Sequence, residues 1–321
     1  MELGIKSKNK VNTNQKNIVM IHRGNSSYLQ PNIKRALKVI PNCNFWLIGD
    51  EKNRKIAEEF KINFEIMDDF LPQPDYKYEH HSFNSFGFEK FCIDRWIVLN
   101  KFMKKQNIKE ALYLDSDVLV LSNKILDVFY DDQYDLIKDS NLVVMPCCIF
   151  LKQKAAKLFA DYILELYSLD SAKKLEILKS ISDRLTLSPS GRGLPILGPN
   201  GEKLNIYISD MYLIGDFSDK WSRLRTRSEP SKPLPLPINI KNVSFDLPHS
   251  THSSKDSATH KNLLLKSKAQ ELKGKILILK EKKYFLDEKE VPFLHLQGCS
   301  KNWQRKILIN INKNENINLN F

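Results

Sequence analysis

The sequence has no run of 18 consecutive apolar residues, so no membrane-spanning helix is expected. Cysteine is scarce and unpatterned. The five cysteines (Cys43, Cys92, Cys147, Cys148, Cys299) are odd in number, and none forms a Cys-x-x-Cys pair. That excludes a regular disulfide framework or a cysteine zinc cluster and fits a reducing, cytoplasmic setting. Glycine is also sparse near the first apolar segment, where only Gly24 occurs. The Gly-rich phosphate loop expected of many nucleotidyltransferases is therefore missing. The polar start, Met1 to Lys16, lacks the apolar stretch of a signal peptide and reads as a flexible arm. No internal repeat is found.

Apolar residues make up 42% of the 321 residues and charged residues 27%, the composition of a folded globular chain. Lys and Arg outnumber Asp and Glu by 50 to 38, a formal charge of +12. Such a balance favours anionic partners: nucleotides, phosphorylated lipids, nucleic acid or an acidic membrane surface. Charge alone keeps open a basic nucleic-acid-binding protein. However, Trp221 to Arg227 lacks the aromatic interleaving of a single-strand platform, and no nucleic-acid module is present, so nucleic acid is not the expected partner.

Apolar segments alternate with helical patterns. Ile18–Ile21 and Phe45–Ile48 read as buried strands, with a helix after Pro31 between them, then a helix over 51–60 and a short strand near Phe64. Phe88 to Gln106 reads as a long helix with Phe88, Phe91, Cys92, Trp96, Leu99 and Met103 on one stripe. Ala111–Leu114 is a further strand, continuing after two acids into Val118–Leu121. Helices are expected at 152–167 and 171–182, a loop over 183–205, a short helix carrying Asp210 behind Ser209, and irregular chain over 228–260. A hairpin at 275–280 and 283–286, a last strand at Val291–Leu296 and a basic helix follow. The alternation implies an α/β fold with a mostly parallel central sheet flanked by helices. The expected division is an arm (1–16), one domain (17–309, in two halves, 17–122 and 123–309) and a poorly ordered tail (310–321).

Two places carry chemistry. Asp115 and Asp117 interrupt an apolar run at a strand's carboxyl end, where open α/β sheets bind ligands. In extended backbone, residues two apart point the same way, so both carboxylates can face one Mg²⁺ or Mn²⁺ ion. The plain alternative is a polar turn. Arg95 falls on the apolar stripe of the long helix. A buried guanidinium needs an anion, either a donor phosphate or Asp115, or else it forms a structural ion pair. Near the end, His295, Gly298 and Lys301 combine an imidazole ligand, a close backbone approach and a point charge for a phosphate. A lone His among apolar neighbours is also a common core residue. His249, His252 and His260 read as a solvated loop without metal-ligand geometry. Arg223, Arg225 and Arg227 read the same way, as a solvated basic loop.

Together the segments NIVMIH, FEKFCIDRWIVLNKFM, YLDSDVLV, SDMYLI and FLHLQGCSKNW resemble nucleotide-sugar glycosyltransferases of the GT-A fold. The resemblance is strongest to the galactosyl- and glucosyltransferase group called glycosyltransferase family eight, and it spans most of residues 17–305. It implies a GT-A, Rossmann-like fold and transfer of a hexose from UDP-glucose or UDP-galactose to a glycan, lipid-linked or protein acceptor. It also implies retention of configuration and a Mn²⁺ (or Mg²⁺) ion held by Asp115, Asp117 and His295. Carried over residue by residue, Lys301 and Gly298 hold the diphosphate, and Arg95, with Asp115 and Ser116, lies against the donor. Asp210 stands by the transferred sugar, and His22 and Arg23 by the nucleoside. By analogy the acceptor suits surface polysaccharide synthesis, with peripheral contact to an anionic membrane. Asn302 stands where the family has proline, and Val143–Cys148 lacks the family's Asn-Ala-Gly. These departures keep open a scaffold with this fold and no activity.

Overall fold

The computed structural model describes residues 15–72, 76–82, 84–131, 133–139, 146–185, 194–197, 203–206, 208–224, 240–243, 250–253, 276–286, 289–298 and 304–318. In chain order the elements are β1 (Lys16–His22), α1 (Leu29–Val39), β2 (Cys43–Gly49), α2 (Arg54–Phe60), β3 (Asn63–Ile66), α3 (Phe86–Lys105), β4 (Glu110–Asp115), β5 (Val118–Val120), α4 (Lys124–Phe129), β6 (Leu136–Asp139), β7 (Cys148–Lys152), α5 (Gln153–Ser168) and α6 (Ser171–Leu185). They continue with β8 (Leu194–Leu197), β9 (Lys203–Ile206), α7 (Asp210–Leu224), β10 (Ile240–Val243), β11 (Ser250–Ser253), β12 (Ile276–Lys280), β13 (Lys283–Leu286), β14 (Lys289–Glu290), β15 (Phe293–Gly298), α8 (Gln304–Lys313) and β16 (Ile317–Asn318).

The principal sheet has seven strands in the order β10-β6-β7-β4-β1-β2-β3. Strands β3, β2, β1 and β4 run parallel, and β7 is antiparallel to both β4 and β6. This is the α/β architecture that the resemblance implies. Strand order reverses between β1 and β4, and such a switch point opens a crevice at the strands' carboxyl ends. The near-continuous apolar runs of β1, β2 and β4 suit a sheet buried on both faces.

Alternation along each strand assigns side chains to one of two cores. Ala111 and Tyr113 of β4 pack with Trp96, Phe102, Phe159 and Phe217, from α3, α5 and α7. Leu112 and Leu114 pack on the opposite face with Ile33, Phe45, Phe129 and Phe150. By the same period of two, Asp115 follows Tyr113 toward α3. The chain then leaves this sheet. Strand β5 lies in a second, three-stranded sheet ordered β11-β15-β5, so the Asp115–Ser116–Asp117 turn joins the two sheets.

Several expectations change. The stretch 183–205 holds the β8–β9 antiparallel pair, and 228–260 holds β10 and β11, which join larger sheets edge-on. The helix carrying Asp210 has 15 residues. The boundary at 309 falls inside α8, and β16 pairs with β12, with Ile317 fully buried, so residues 310–318 are part of the fold. Phe88 is 54% exposed and leaves the apolar stripe of α3, where Glu89, at 1% exposure, takes its place. The hairpin at β12 and β13 forms as expected. Among the described residues no helix is long and apolar enough to cross a membrane.

Candidate functional site

Register brings the site together. Ile21 of β1 pairs with Asp115 of β4, so the next residues, His22 and Ser116, fall side by side. His22 Nδ1 lies 2.9 Å from Ser116 Oγ. Asn32 of α1 holds the turn from behind, its Nδ2 donating to Ser116 O at 2.8 Å. Gln304 of α8 in turn donates to Asn32 Oδ1 and to Tyr28 O (3.1 Å), fastening the end of the chain beneath the first loop.

On the second sheet, His295 of β15 pairs with Val118 of β5, and Leu296 N donates to Asp117 O at 3.0 Å. This antiparallel pairing sets the imidazole beside the carboxylate, with His295 Nε2 3.2 Å from Asp117 Oδ1. Asp115, Asp117 and His295 each offer one ligand atom, and all three atoms lie within 4.8 Å of one another. Two carboxylate oxygens and an imidazole nitrogen fit Mn²⁺ well and Mg²⁺ adequately.

The first-sheet side is different. Arg95, 6% exposed, donates from Nη1 to Asp115 Oδ1 at 2.5 Å and to Tyr113 Oη at 3.0 Å. Tyr113 Oη donates to the same Asp115 oxygen at 2.6 Å. The other edge of the guanidinium holds Asp210 Oδ2, through Nη2 and through Nε at 3.1 Å. Trp96 Nε1 also donates to that oxygen at 3.1 Å. The arginine thus bridges the acid at the end of β4 and the acid that opens α7, whose first turn favours negative charge. Burial raises the Asp115 carboxyl above its ordinary range, and the Asp117 charge adds to this against the pull of Arg95. Arg95 stays charged because Asp115 and Asp210 outweigh the effect of its burial.

Of the other residues read from the sequence, Arg23 lies at the rim, half exposed and 3.9 Å from Asp68. Its loop is clasped to the end of β2: Gly24 N donates to Asp50 Oδ2 (2.6 Å), and Asn53 Nδ2 donates to Gly24 O (2.9 Å). Gly24 has φ +86°, a backbone setting that glycine adopts without strain. Gly298 ends β15, paired with Ser253. Lys301 lies outside the described residues, as do His249, His260, Arg225 and Arg227. His252 is in β11 and not in a loop.

Sequence reasoning missed three participants: Tyr113, whose hydroxyl braces Asp115; Gln304; and Glu89. Glu89 had a signal. It keeps helical phase with Cys92 and Trp96, so an acid stood on the apolar stripe.

No family model and no curated protein matches the chain. Among solved structures, mouse xyloside xylosyltransferase 1 in its apo form is similar at 11% identity and TM-score 0.49, covering 89% of this chain and 98% of that one. A galactosyltransferase, LgtC, in complex with donor and acceptor sugar analogs is similar at 12% identity and TM-score 0.32, covering 70% and 86%. A cytidylyltransferase from Leptospira borgpetersenii is similar at 11% identity and TM-score 0.31. This chain covers 64% of it, just under two thirds of its length. Likenesses of this size place the chain in no family, and the case for function comes from the site itself.

Proposed function

We propose that this chain is a metal-dependent glycosyltransferase that moves a hexose from a nucleotide sugar, a UDP-hexose by resemblance, to a hydroxyl of a glycan, lipid-linked saccharide or protein. One observation carries this reading. Asp115, Asp117 and His295 come from two sheets and from distant parts of the sequence, yet they offer ligand atoms within 4.8 Å at the carboxyl end of β4. The resemblance to family eight supplies the donor class and the expectation of retention.

Asp115, Asp117 and His295 would hold a Mn²⁺ ion, which when bound neutralises the diphosphate leaving group. The chain's own residues do the remaining work. His22 and Ser116 line the nucleoside side, next to the clasped Gly24 loop. Arg95 keeps Asp115 and Asp210 fixed and supplies positive charge near the reacting centre. Asp210 faces the transferred sugar and supports positive charge developing at its anomeric carbon. Lys301 is assigned to the diphosphate on the match of its motif.

The test is release of nucleoside diphosphate from a panel of nucleotide sugars, with and without Mn²⁺ and without added acceptor. Metal-dependent release from one donor, lost in Asp117→Ala, supports the reading and names the sugar. If no donor is cleaved and none shifts the melting temperature in a metal-dependent way, the reading fails in favour of an inactive scaffold. NMR of the transferred sugar tests retention.

A further inference from the structure

Glu89 lies in the first turn of α3, and its side chain is 1% exposed. One carboxylate oxygen, Oε2, accepts hydrogen bonds from Ser82 Oγ at 2.8 Å and Asn84 Nδ2 at 2.7 Å. The other, Oε1, is buried without a hydrogen-bond partner. Ser209 Oγ, on the residue preceding Asp210, is also buried without one. Ile208 N donates to His81 O at 2.7 Å, which ties the segment before α7 to the segment before α3. Two orphaned polar atoms therefore belong to tied segments flanking Asp210. A buried polar atom without a partner is unfavourable, and a ligand hydroxyl would relieve it.

The position along α3 is also informative. Helix α3 precedes β4 and runs back against it, so its N-terminus lies at the ligand end of the sheet. Glu89 precedes Arg95 by six residues, which puts it about 9 Å further toward the mouth of the crevice.

Among the described residues, the surrounding cations are bonded elsewhere and none is bonded to Glu89. Arg95 bonds Asp115 and Asp210, Lys90 bonds Asp94 at 2.5 Å, and Lys174 bonds Glu79 at 2.6 Å. The titratable groups acting on or sensing Glu89 are Asp210 from α7, Arg95 and Cys92 from α3, Tyr78 from the preceding loop and Tyr167 from α5. Burial, with the Asp210 charge behind it, pushes the Glu89 carboxyl up to about 6, although Asn84, Ser82 and Arg95 pull it down. A carboxylate tuned close to neutral pH suits proton transfer.

We propose that Glu89 accepts the proton of the attacking hydroxyl in sugar transfer, an inference that rests on the glycosyltransferase reading above. The hydroxyl oxygen forms a bond to the anomeric carbon. The bond from that carbon to the donor's phosphate oxygen breaks, and its electron pair leaves on the phosphate. The hydroxyl proton passes to Glu89 Oε1 and is lost to solvent once the product departs. Ser82 and Asn84 fix the opposite oxygen, and Ser209 offers a second hydrogen-bonding group on the α7 side.

The experiment uses the full chain with Mn²⁺ and the nucleotide sugar it hydrolyses, water serving as the attacking hydroxyl. Glu89→Gln keeps the shape and the bonds to Ser82 and Asn84. It is expected to lower kcat about 100-fold with the donor KM unchanged. It should also abolish the acid limb, the fall in wild-type rate as pH drops through about 6. In Glu89→Ala, added formate should restore part of the lost rate, a recovery that a purely structural role would not give. If Glu89→Gln retains the wild-type kcat and acid limb, or formate fails to rescue Glu89→Ala, this assignment is overturned and the transferase reading stands. If the wild-type chain cleaves no donor, both fall together.

Discussion

Asp115 and Asp117 are two residues apart in the chain, yet they belong to different sheets and different electrostatic settings. Asp115 ends the seven-stranded sheet, where Arg95 and Tyr113 hold one of its oxygens. Asp117 opens the three-stranded sheet and meets His295 across an antiparallel pair. The first acid is tied into a wider network: its partner Arg95 also neutralises Asp210, so a partly buried charge and two buried ones depend on one another. The second depends on an imidazole that carries charge only when protonated. Losing the first network should damage folding, and losing the second pair should damage ligand binding.

The largest expected effect tests the first half of that contrast. Arg95→Met leaves the buried Asp210 and the partly buried Asp115 without their shared cation and should destabilise the protein by about 3–5 kcal/mol, measured by urea unfolding. A loss below about 1 kcal/mol would show that the network does not hold the fold. Next, Asp117→Ala should leave the urea midpoint nearly unchanged while raising the barrier to donor cleavage by about 3–4 kcal/mol. A large drop in stability would erase the distinction between the two acids.

A third prediction concerns Glu89 and pH. Its carboxyl is raised from an ordinary 4.5 to about 6 in the folded state. The folded chain therefore binds this proton more tightly than the unfolded chain, and its stabilising contribution is present below about 4.5 and lost as pH rises through 6. Glu89→Gln removes that loss, so relative to wild type it should gain up to about 2 kcal/mol between pH 4 and pH 7.5. A pH-independent difference would contradict this. The smallest effect is expected for His295→Ala: metal affinity should fall at least about tenfold, or about 1.4 kcal/mol, seen as a smaller Mn²⁺-induced rise in melting temperature.

Strands β1, β2 and β4 were legible because a parallel sheet buried on both faces leaves unbroken apolar runs in the sequence. The two aspartates were legible for the same reason, since acids inside such a run stand out. It was not legible that Val118–Val120 leaves the sheet of Ala111–Leu114. Both segments are apolar, and the partner that captures β5 lies far along the chain in β15. Strands β8 to β11 were hidden by short length and by neighbouring proline, glycine and serine, because strand pairing depends on the partner more than on local composition. In α3, reading Phe88 onto the apolar stripe was an error of phase by one residue. The aromatic ring masked the acid beside it, and Phe88 is exposed at the helix's first turn. The Arg95 network was half legible. A buried arginine demands acids, but which acids it meets depends on α7 reaching β4 through tertiary packing.

The pairing of β5 with β15 also governs when the site can exist. During synthesis the N-terminal segments emerge first, so β1 to β4 and both aspartates are available long before His295. Pairing across so wide a sequence separation closes a long loop and is slow. The imidazole should therefore join the two carboxylates late in folding. Recovery of metal binding after dilution from urea should lag behind recovery of helical signal, and that delay would time the closure of the second sheet directly.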